Sequence, residues 1–340
     1  MLVLSGTAST IPIGINTCTI KISEKRIPPG VPADRLSSSN SKCDKVIKKS
    51  VHGLNTLIDL NRIYQEDCLS FMSKLKDHEI LIDVIVTSPP YNMNKEYGLY
   101  RDSKERDKYL GWMQKVAEKS YHILKEDGSI FLNVGSRPID PTFPFEVANQ
   151  FRTLYELQNT IHWIKSVSID AEDIGKNNEF HGNISIGHFK PIVSDRYLSD
   201  LHEYIFHFTK TGNLKLDKLK IGVTYQDKTN IGRWKSAKRD KRDRGNVWLI
   251  SYPTIQEGRP HPAVFPIKLP ERCINLHGIK PNMLVYDPFM GIGNTALACM
   301  RLGLNYLGTE IDAEYIKIAQ HKMASAPLET NLSEGSHEII

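Results

Sequence analysis

Residues 81–87, Leu-Ile-Asp-Val-Ile-Val-Thr, are nearly all apolar or β-branched and run directly into Ser88-Pro89-Pro90-Tyr91. A run with so little polar character has no solvent face, as expected of a strand covered on both sides in a parallel sheet. Two consecutive prolines end it, because neither can donate a backbone hydrogen bond to a ladder. A stiff, carbonyl-rich turn and an aromatic ring therefore belong at the carboxyl edge of a central strand. In open α/β sheets, ligands bind at that edge.

Around this strand the pattern alternates. Asp107–Leu124 carries apolar residues at helical spacing and leads into Lys125-Glu-Asp-Gly128, where Gly128 is expected to cap the helix. Strands are expected at Ser129–Val134, Gln158–Ile164, Glu203–Phe208, Met283–Tyr286 and Tyr306–Thr309, with helices over Asn294–Gly303 and from about Ala313. The chain of 340 residues is long enough for one large domain or two small ones. The alternation predicts an α/β fold with a mostly parallel sheet and helices on both faces. Residues 1–50, with Pro-Pro-Gly-Val-Pro and Ser-Ser-Ser-Asn-Ser, read as a flexible extension, 51–324 as the folded domain, and 325–340 as a flexible tail.

Several function classes are excluded early. With 24% charged residues and no apolar run long enough to span a bilayer, no membrane association is expected. Met1-Leu-Val-Leu-Ser shows no basic region before an apolar core, so no secretory signal is expected. Five scattered cysteines without a Cys-x-x-Cys pair fit a reducing cytosol, and twelve histidines without ligand spacing give no metal site. Net charge is only +5, yet Lys210–Arg244 holds twelve Lys or Arg against four Asp. That local excess, interleaved with Tyr225 and Trp234, is the footprint of a polyanion binder.

A second motif lies at Met283-Leu-Val-Tyr-Asp-Pro-Phe-Met-Gly-Ile-Gly-Asn-Thr-Ala296: a strand, a glycine turn and a helix start. Gly291, Gly293 and Ala296 have G-x-G-x-x-G/A spacing, and Glu310 closes the next strand nineteen positions after Gly291. Such glycines let backbone approach a ligand, and a carboxylate at the next strand end can accept both ribose hydroxyls. Asp287 would repel a pyrophosphate and suits an ammonium group. Adenosine, ammonium and sulfonium together describe S-adenosyl-L-methionine.

Asp287-Pro-Phe-Met-Gly-Ile-Gly-Asn-Thr295 together with Thr87-Ser-Pro-Pro-Tyr91 resembles the exocyclic-amino DNA methyltransferases of restriction–modification systems. The order of Pro-Pro-Tyr, basic region and glycine motif is similar to the permuted β group of that family. The resemblance runs from about Leu57 to Met323. It includes Asn61-Arg-Ile-Tyr-Gln-Glu-Asp67, Gly245-Asn-Val-Trp248 and His261-Pro-Ala-Val-Phe-Pro266. Asn294 departs from it, since the family more often continues from the second glycine to Ser or Thr.

The resemblance implies a Rossmann-like methyltransferase fold and assigns roles. The Ser88 oxygen and the Pro89 carbonyl would accept the N–H groups of the target amine. Pro90 stiffens the turn, and Tyr91 would stack on an extracted base. Asp67 would hold the cofactor adenine, Glu310 its ribose, and Asp287, Gly291 and Gly293 the methionine part, beside Asn294, Thr295 and Pro266. Phe289 would lie against the cofactor. Asp67 also stands where a helix cap belongs, and Phe289 and Pro266 equally suit a core.

A recognition region within about 170–244 would supply phosphate contacts from Arg233, Lys235, Lys238, Arg239, Lys241 and Arg242, and base readout. Serine before Pro-Pro-Tyr leans to N4-methylcytosine in this family, where aspartate leans to N6-methyladenine, which stays the leading alternative. RNA or protein-glutamine methylation is more distant, and a non-catalytic DNA-binding relative conflicts with two intact motifs. C5-cytosine chemistry is out, because no Pro-Cys pair exists. Double-stranded DNA is the expected partner and a prokaryotic cytosol the expected location. A cognate restriction endonuclease and a homodimer are compatible with the chain.

Overall fold

The computed structural model describes residues 58–92, 96–97, 100–101, 103–173, 182–189, 191–192, 194–225, 240–251 and 264–326. The expected extension at 1–50 and most of the expected tail lie outside them.

Eight strands form the main sheet: β1 (Arg62–Gln65), β2 (Ile82–Thr87), β3 (Leu124–Val134), β4 (Glu156–Ile164), β5 (His202–Thr209), β6 (Val247–Leu249), β7 (Leu284–Asp287) and β8 (Asn305–Glu310). Their spatial order is β1-β8-β7-β2-β3-β5-β4-β6. Every pairing is parallel except those of β5, which runs antiparallel to both β3 and β4. From β2 the chain moves outward to β3, whereas from β7 it moves the other way to β8. The gap between β7 and β2 is therefore the topological switch point, where an open sheet leaves a crevice at its carboxyl edge.

Helices α1 (Cys68–Asp77), α2 (Arg106–Ile123) and α3 (Phe143–Arg152) supply one core through Phe71, Met113 and Phe151. On the other core, α4 (Lys268–His277) and α5 (Asn294–Leu302) contribute Leu269, Ile274 and Cys299, with Met323 of α6 (Ala313–Ser325) packed against it. Successive residues of β3 serve opposite cores, Ile130 and Leu132 on the first and Phe131 on the second, as the two-residue period of a strand requires. All six residues of β2 are buried. Its acid, Asp83, is satisfied by Lys125 Nζ at 2.7 Å and the Leu284 amide at 2.9 Å.

One expectation changes. Gly128 does not cap α2. The helix ends at Ile123, Leu124 is already extended (φ −79°, ψ 136°), and the Asp83–Lys125 pair draws the chain into the sheet four residues early. Gly128 is instead needed for space, since a Cβ there would meet Leu124 Cγ at 2.7 Å. The strand expected at Glu203–Phe208, inside the 170–244 span, lies at His202–Thr209 as β5, between β3 and β4. Helix α6 reaches Ser325, one residue into the expected tail.

Candidate active site

The carboxyl ends of β1, β8, β7, β2 and β3 share one edge of the sheet, and a cavity of about 290 Å³ opens there. Ser88, Pro89, Pro90 and Tyr91 line it, with Asp67, Phe289, Gly291, Asn294 and Glu310. The two motifs thus meet around one space.

Strand ends hold the carboxylates. Asp67 follows β1 and caps α1, its Oδ1 accepting from the Leu69 and Ser70 amides at 3.0 and 3.1 Å. Capping and cavity lining are therefore compatible in one residue. Glu310 ends β8, and its carboxylate accepts from the amides of Gly291, Ile311 and Asp312, each at 2.9 Å. Burial raises the Glu310 pKa, and those amides pull it back.

Asp287 behaves differently from expectation. It is 1% exposed and does not line the cavity. Thr87 Oγ1 and the Phe289 amide donate to Oδ1 at 2.7 and 3.0 Å, and Thr295 Oγ1 donates to Oδ2 at 2.6 Å. Burial pushes its pKa up to about 6 despite these bonds. Thr295 is turned toward Asp287, away from the cavity. Gly293 is also withdrawn: its φ is +83°, and a Cβ would meet Ala319 Cβ at 2.8 Å. Pro266 accepts the Leu269 amide at 2.9 Å beside α4, while its neighbours Val264 and Phe265 form the wall. Asn294 explains its own departure from the family pattern. Its Nδ2 donates to Phe265 O at 2.7 Å and its Oδ1 accepts from Lys322, tying that wall to the glycine turn.

Phe289 has an aromatic partner in the cavity wall that the sequence did not single out. Trp112 of α2 lies 5.4 Å from Phe289, centroid to centroid, with Lys104 Nζ 4.5 Å from the Trp112 ring centroid. Phe289 is both core and wall, packed against the first core while facing the cavity. The only sequence signal for Trp112 was a large aromatic early in the helix after Pro-Pro-Tyr.

At the Pro-Pro-Tyr turn, Tyr109 Oη donates to Pro90 O at 2.7 Å. The Pro89 carbonyl takes no hydrogen bond among the described residues. Ser88 Oγ and Tyr91 Oη are 2.6 Å apart, and Tyr91 Oη donates to Glu203 Oε2 at 3.0 Å. Asn133 Nδ2 lies 2.7 Å from Tyr91 Oη, 2.6 Å from Glu203 Oε2 and 3.3 Å from Ser88 Oγ. Lys165 Nζ completes the group, 2.9 Å from Glu203 Oε1. Gly135 allows this packing, since a Cβ there would meet Tyr91 Cε2 at 2.9 Å. Asn133 and Glu203 were not anticipated; each is a polar residue near the cavity end of its strand.

Lys241 and Arg242 are exposed in a short ribbon, with Val223 opposite Arg242 and Thr224 opposite Lys241. Arg233, Lys235, Lys238 and Arg239 fall outside the described residues. No cluster of potential metal ligands occurs among the described residues, and no helix there is long and apolar enough to cross a membrane.

The lining contains four carboxylates (Glu66, Asp67, Glu310, Asp312), one lysine and no arginine. That donor set fits a cationic ligand with hydroxyls and disfavours a pyrophosphate. Comparison with known proteins agrees. A family model described as DNA methylase, for N6 and N4 enzymes, matches residues 82–321. The chain is 29% identical over 288 residues to the type II methyltransferase M.BglII of Bacillus subtilis, covering 80% of this chain and 71% of that protein. It is 25% identical over 268 residues to the DNA adenine methyltransferase YhdJ of Escherichia coli K12, covering 77% and 82%. The solved PvuII DNA methyltransferase, described as cytosine-N4-specific, shares the fold with a TM-score of 0.53 at 22% identity, covering 80% of this chain and 87% of that one. This chain belongs to the N6/N4 DNA methylase family, a family of S-adenosylmethionine-dependent DNA methyltransferases.

Proposed function

We propose that this DNA methyltransferase modifies the exocyclic N4 amine of cytosine in duplex DNA, after flipping the base out of the helix. The observation that carries the reading is Ser88 at the head of the Pro-Pro-Tyr turn, lining the cavity beside the Pro89 carbonyl. An exocyclic amine is a poor nucleophile because its lone pair is delocalised into the ring. Two acceptors at its N–H groups draw the nitrogen toward a tetrahedral shape and release that lone pair. Ser88 Oγ and Pro89 O are the acceptors in this proposal. A serine hydroxyl is no base at neutral pH, so proton loss accompanies or follows attack.

S-adenosyl-L-methionine, when bound, supplies a methyl group on positively charged sulfur, which departs as a neutral thioether. Asp67, Glu310, the Gly291 backbone and the Phe289–Trp112 wall would hold it, with Asn294 fixing the wall at Phe265. Holding both reactants in line removes much of the entropic barrier, and no covalent enzyme intermediate is required. Asp287, Gly293, Thr295 and Pro266 support that shape from behind. Lys241 and Arg242, with Arg233, Lys235, Lys238 and Arg239, are proposed to neutralise DNA phosphates. A cytosolic location and a companion restriction endonuclease fit the type II relatives and belong to the same proposal.

The second reading is N6-adenine, favoured by the match to an adenine methyltransferase. Incubation with labelled cofactor and duplex DNA, digestion to nucleosides and identification of the labelled one separates the two. Label in N6-methyladenosine would overturn the cytosine reading, and unlabelled DNA would sink both.

A further inference from the structure

We propose that Glu203 is a positioning residue for methyl transfer, setting the hydrogen-bond direction at Ser88 through Tyr91 and receiving the proton that the amine releases. The proposal rests on the reading of Ser88 as an amine acceptor.

Antiparallel β5 begins at the edge where the parallel strands end, which brings Glu203 against Tyr91 of the cavity lining. Of the three partners described for the Tyr91 phenol, only Glu203 is a carboxylate and so can only accept. The phenol has a single proton, and charge assistance directs it to Glu203 Oε2. Tyr91 Oη is then an acceptor toward its other neighbours. Asn133 Nδ2 donates to it, and the amide orientation is fixed because the alternative would set Asn133 Oδ1 against the Glu203 carboxylate at 2.6 Å. Ser88 must also donate to it, across 2.6 Å. With its proton committed there, Ser88 Oγ presents lone pairs to a target amine. Reversing the direction at Tyr91 would make Ser88 a donor toward the substrate, which an amine N–H cannot use.

The same chain carries a proton away. A methylated amine nitrogen is positively charged and must lose a proton. That proton passes to Ser88 Oγ, the Ser88 proton to Tyr91 Oη, and the Tyr91 proton to Glu203 Oε2. The N–H bonding pair stays on nitrogen, which becomes neutral. Both hydroxyls are restored and Glu203 becomes a carboxylic acid. Lys165 holds the other oxygen, Oε1, at 2.9 Å, so Oε2 stays turned to the relay.

The test is single-turnover methyl transfer to duplex DNA, with cofactor affinity measured by calorimetry. Glu203→Gln and Tyr91→Phe should each slow transfer about a hundredfold, the low end of what a positioned acid–base group supplies, with cofactor affinity within twofold of wild type. The double variant should be no slower than the slower single variant, because both act in one chain. Formate, but not formamide, should restore part of the activity of Glu203→Ala. A Glu203→Gln rate within threefold of wild type, losses that multiply in the double variant, or equal effects of formate and formamide would overturn the proposal. Should Glu203→Gln fail to fold, Tyr91→Phe leaves the Glu203–Lys165 pair intact and carries the same expectation and the same contrary result. The nucleoside labelled by the wild-type enzyme tests the base assignment separately, since either amine needs an acceptor at Ser88.

Discussion

Thr87 and Asp287, 200 residues apart in the chain, are joined by a 2.7 Å hydrogen bond between the ends of neighbouring strands. Thr87 immediately precedes the Pro-Pro-Tyr turn, and Asp287 opens the glycine motif. The bond crosses the switch point of the sheet, so the two halves of the site are locked to each other from below. Asp287 therefore serves the cavity without entering it: its carboxylate gathers Thr87, Thr295 and the Phe289 amide, and fixes where the following loops begin.

That burial makes Asp287 a pH-dependent element. Its folded pKa is about 6 against an ordinary value of 3.8. The folded state thus binds a proton that the unfolded state has released, and the contribution of the protonated form is fully present below about pH 4. It is lost as pH rises through about 6, amounting to ~2–3 kcal/mol for a shift of this size. Asp287→Asn cannot titrate, so its denaturant stability should lack that decline between pH 4 and 6. Parallel pH–stability curves for the two proteins would refute the assignment.

Trp112 should matter to the cofactor more than to folding. It is only half-buried, and its ring closes the cavity beside Phe289. Trp112→Ala should weaken S-adenosylmethionine binding about tenfold, the scale of one aromatic contact of roughly 1.4 kcal/mol. Calorimetric affinity is the measurement, with thermal unfolding as the control. Unchanged affinity would remove Trp112 from the cofactor wall.

Much of this architecture was legible because apolar periodicity records burial directly. The helix expected at 107–124 lies at Arg106–Ile123, and the strand expected at 203–208 lies at His202–Thr209. Strand direction was not legible, because alternation is the same for parallel and antiparallel neighbours, and β5 runs antiparallel. Gly128 misled for a related reason. Glycine after a helix suits either a left-handed cap or a tight contact, and the distant Asp83–Lys125 pair decided between them.

The site divides along the same line. Local motifs placed Ser88, Tyr91, Asp67, Phe289, Gly291, Asn294 and Glu310 around one cavity. They did not distinguish a residue that faces the cavity from one that supports it, as Asp287, Thr295 and Gly293 do. Glu203 was out of reach for another reason. Its partners Tyr91, Asn133 and Lys165 come from three other stretches of chain, and only the sheet order brings them together.

Lys241 and Arg242 supply a test of the DNA face. Both are exposed in the ribbon paired with Val223 and Thr224, so neutralising them should leave the core untouched. Each phosphate contact adds about one unit to the slope of log affinity against log salt concentration. Lys241→Gln with Arg242→Gln should therefore lower that slope by about 2 and weaken binding across all sequences alike. Filter binding over a range of salt concentrations is sufficient. An unchanged slope would show that these side chains are merely solvated.

Ser88→Ala isolates the chemical step. The serine lines the cavity, but its described bonds run to Tyr91 and Asn133, away from the carboxylates and aromatic wall assigned to the cofactor. Removing Oγ should leave S-adenosylmethionine affinity within about twofold by calorimetry. The single-turnover rate should fall about a hundredfold, the scale of losing one hydrogen-bonding group that acts mainly in the transition state. Tyr91 and Glu203 retain their mutual bond in this variant, so the fold around the turn should persist. Equal losses in cofactor affinity and rate would place Ser88 in the cofactor site and withdraw it from the amine.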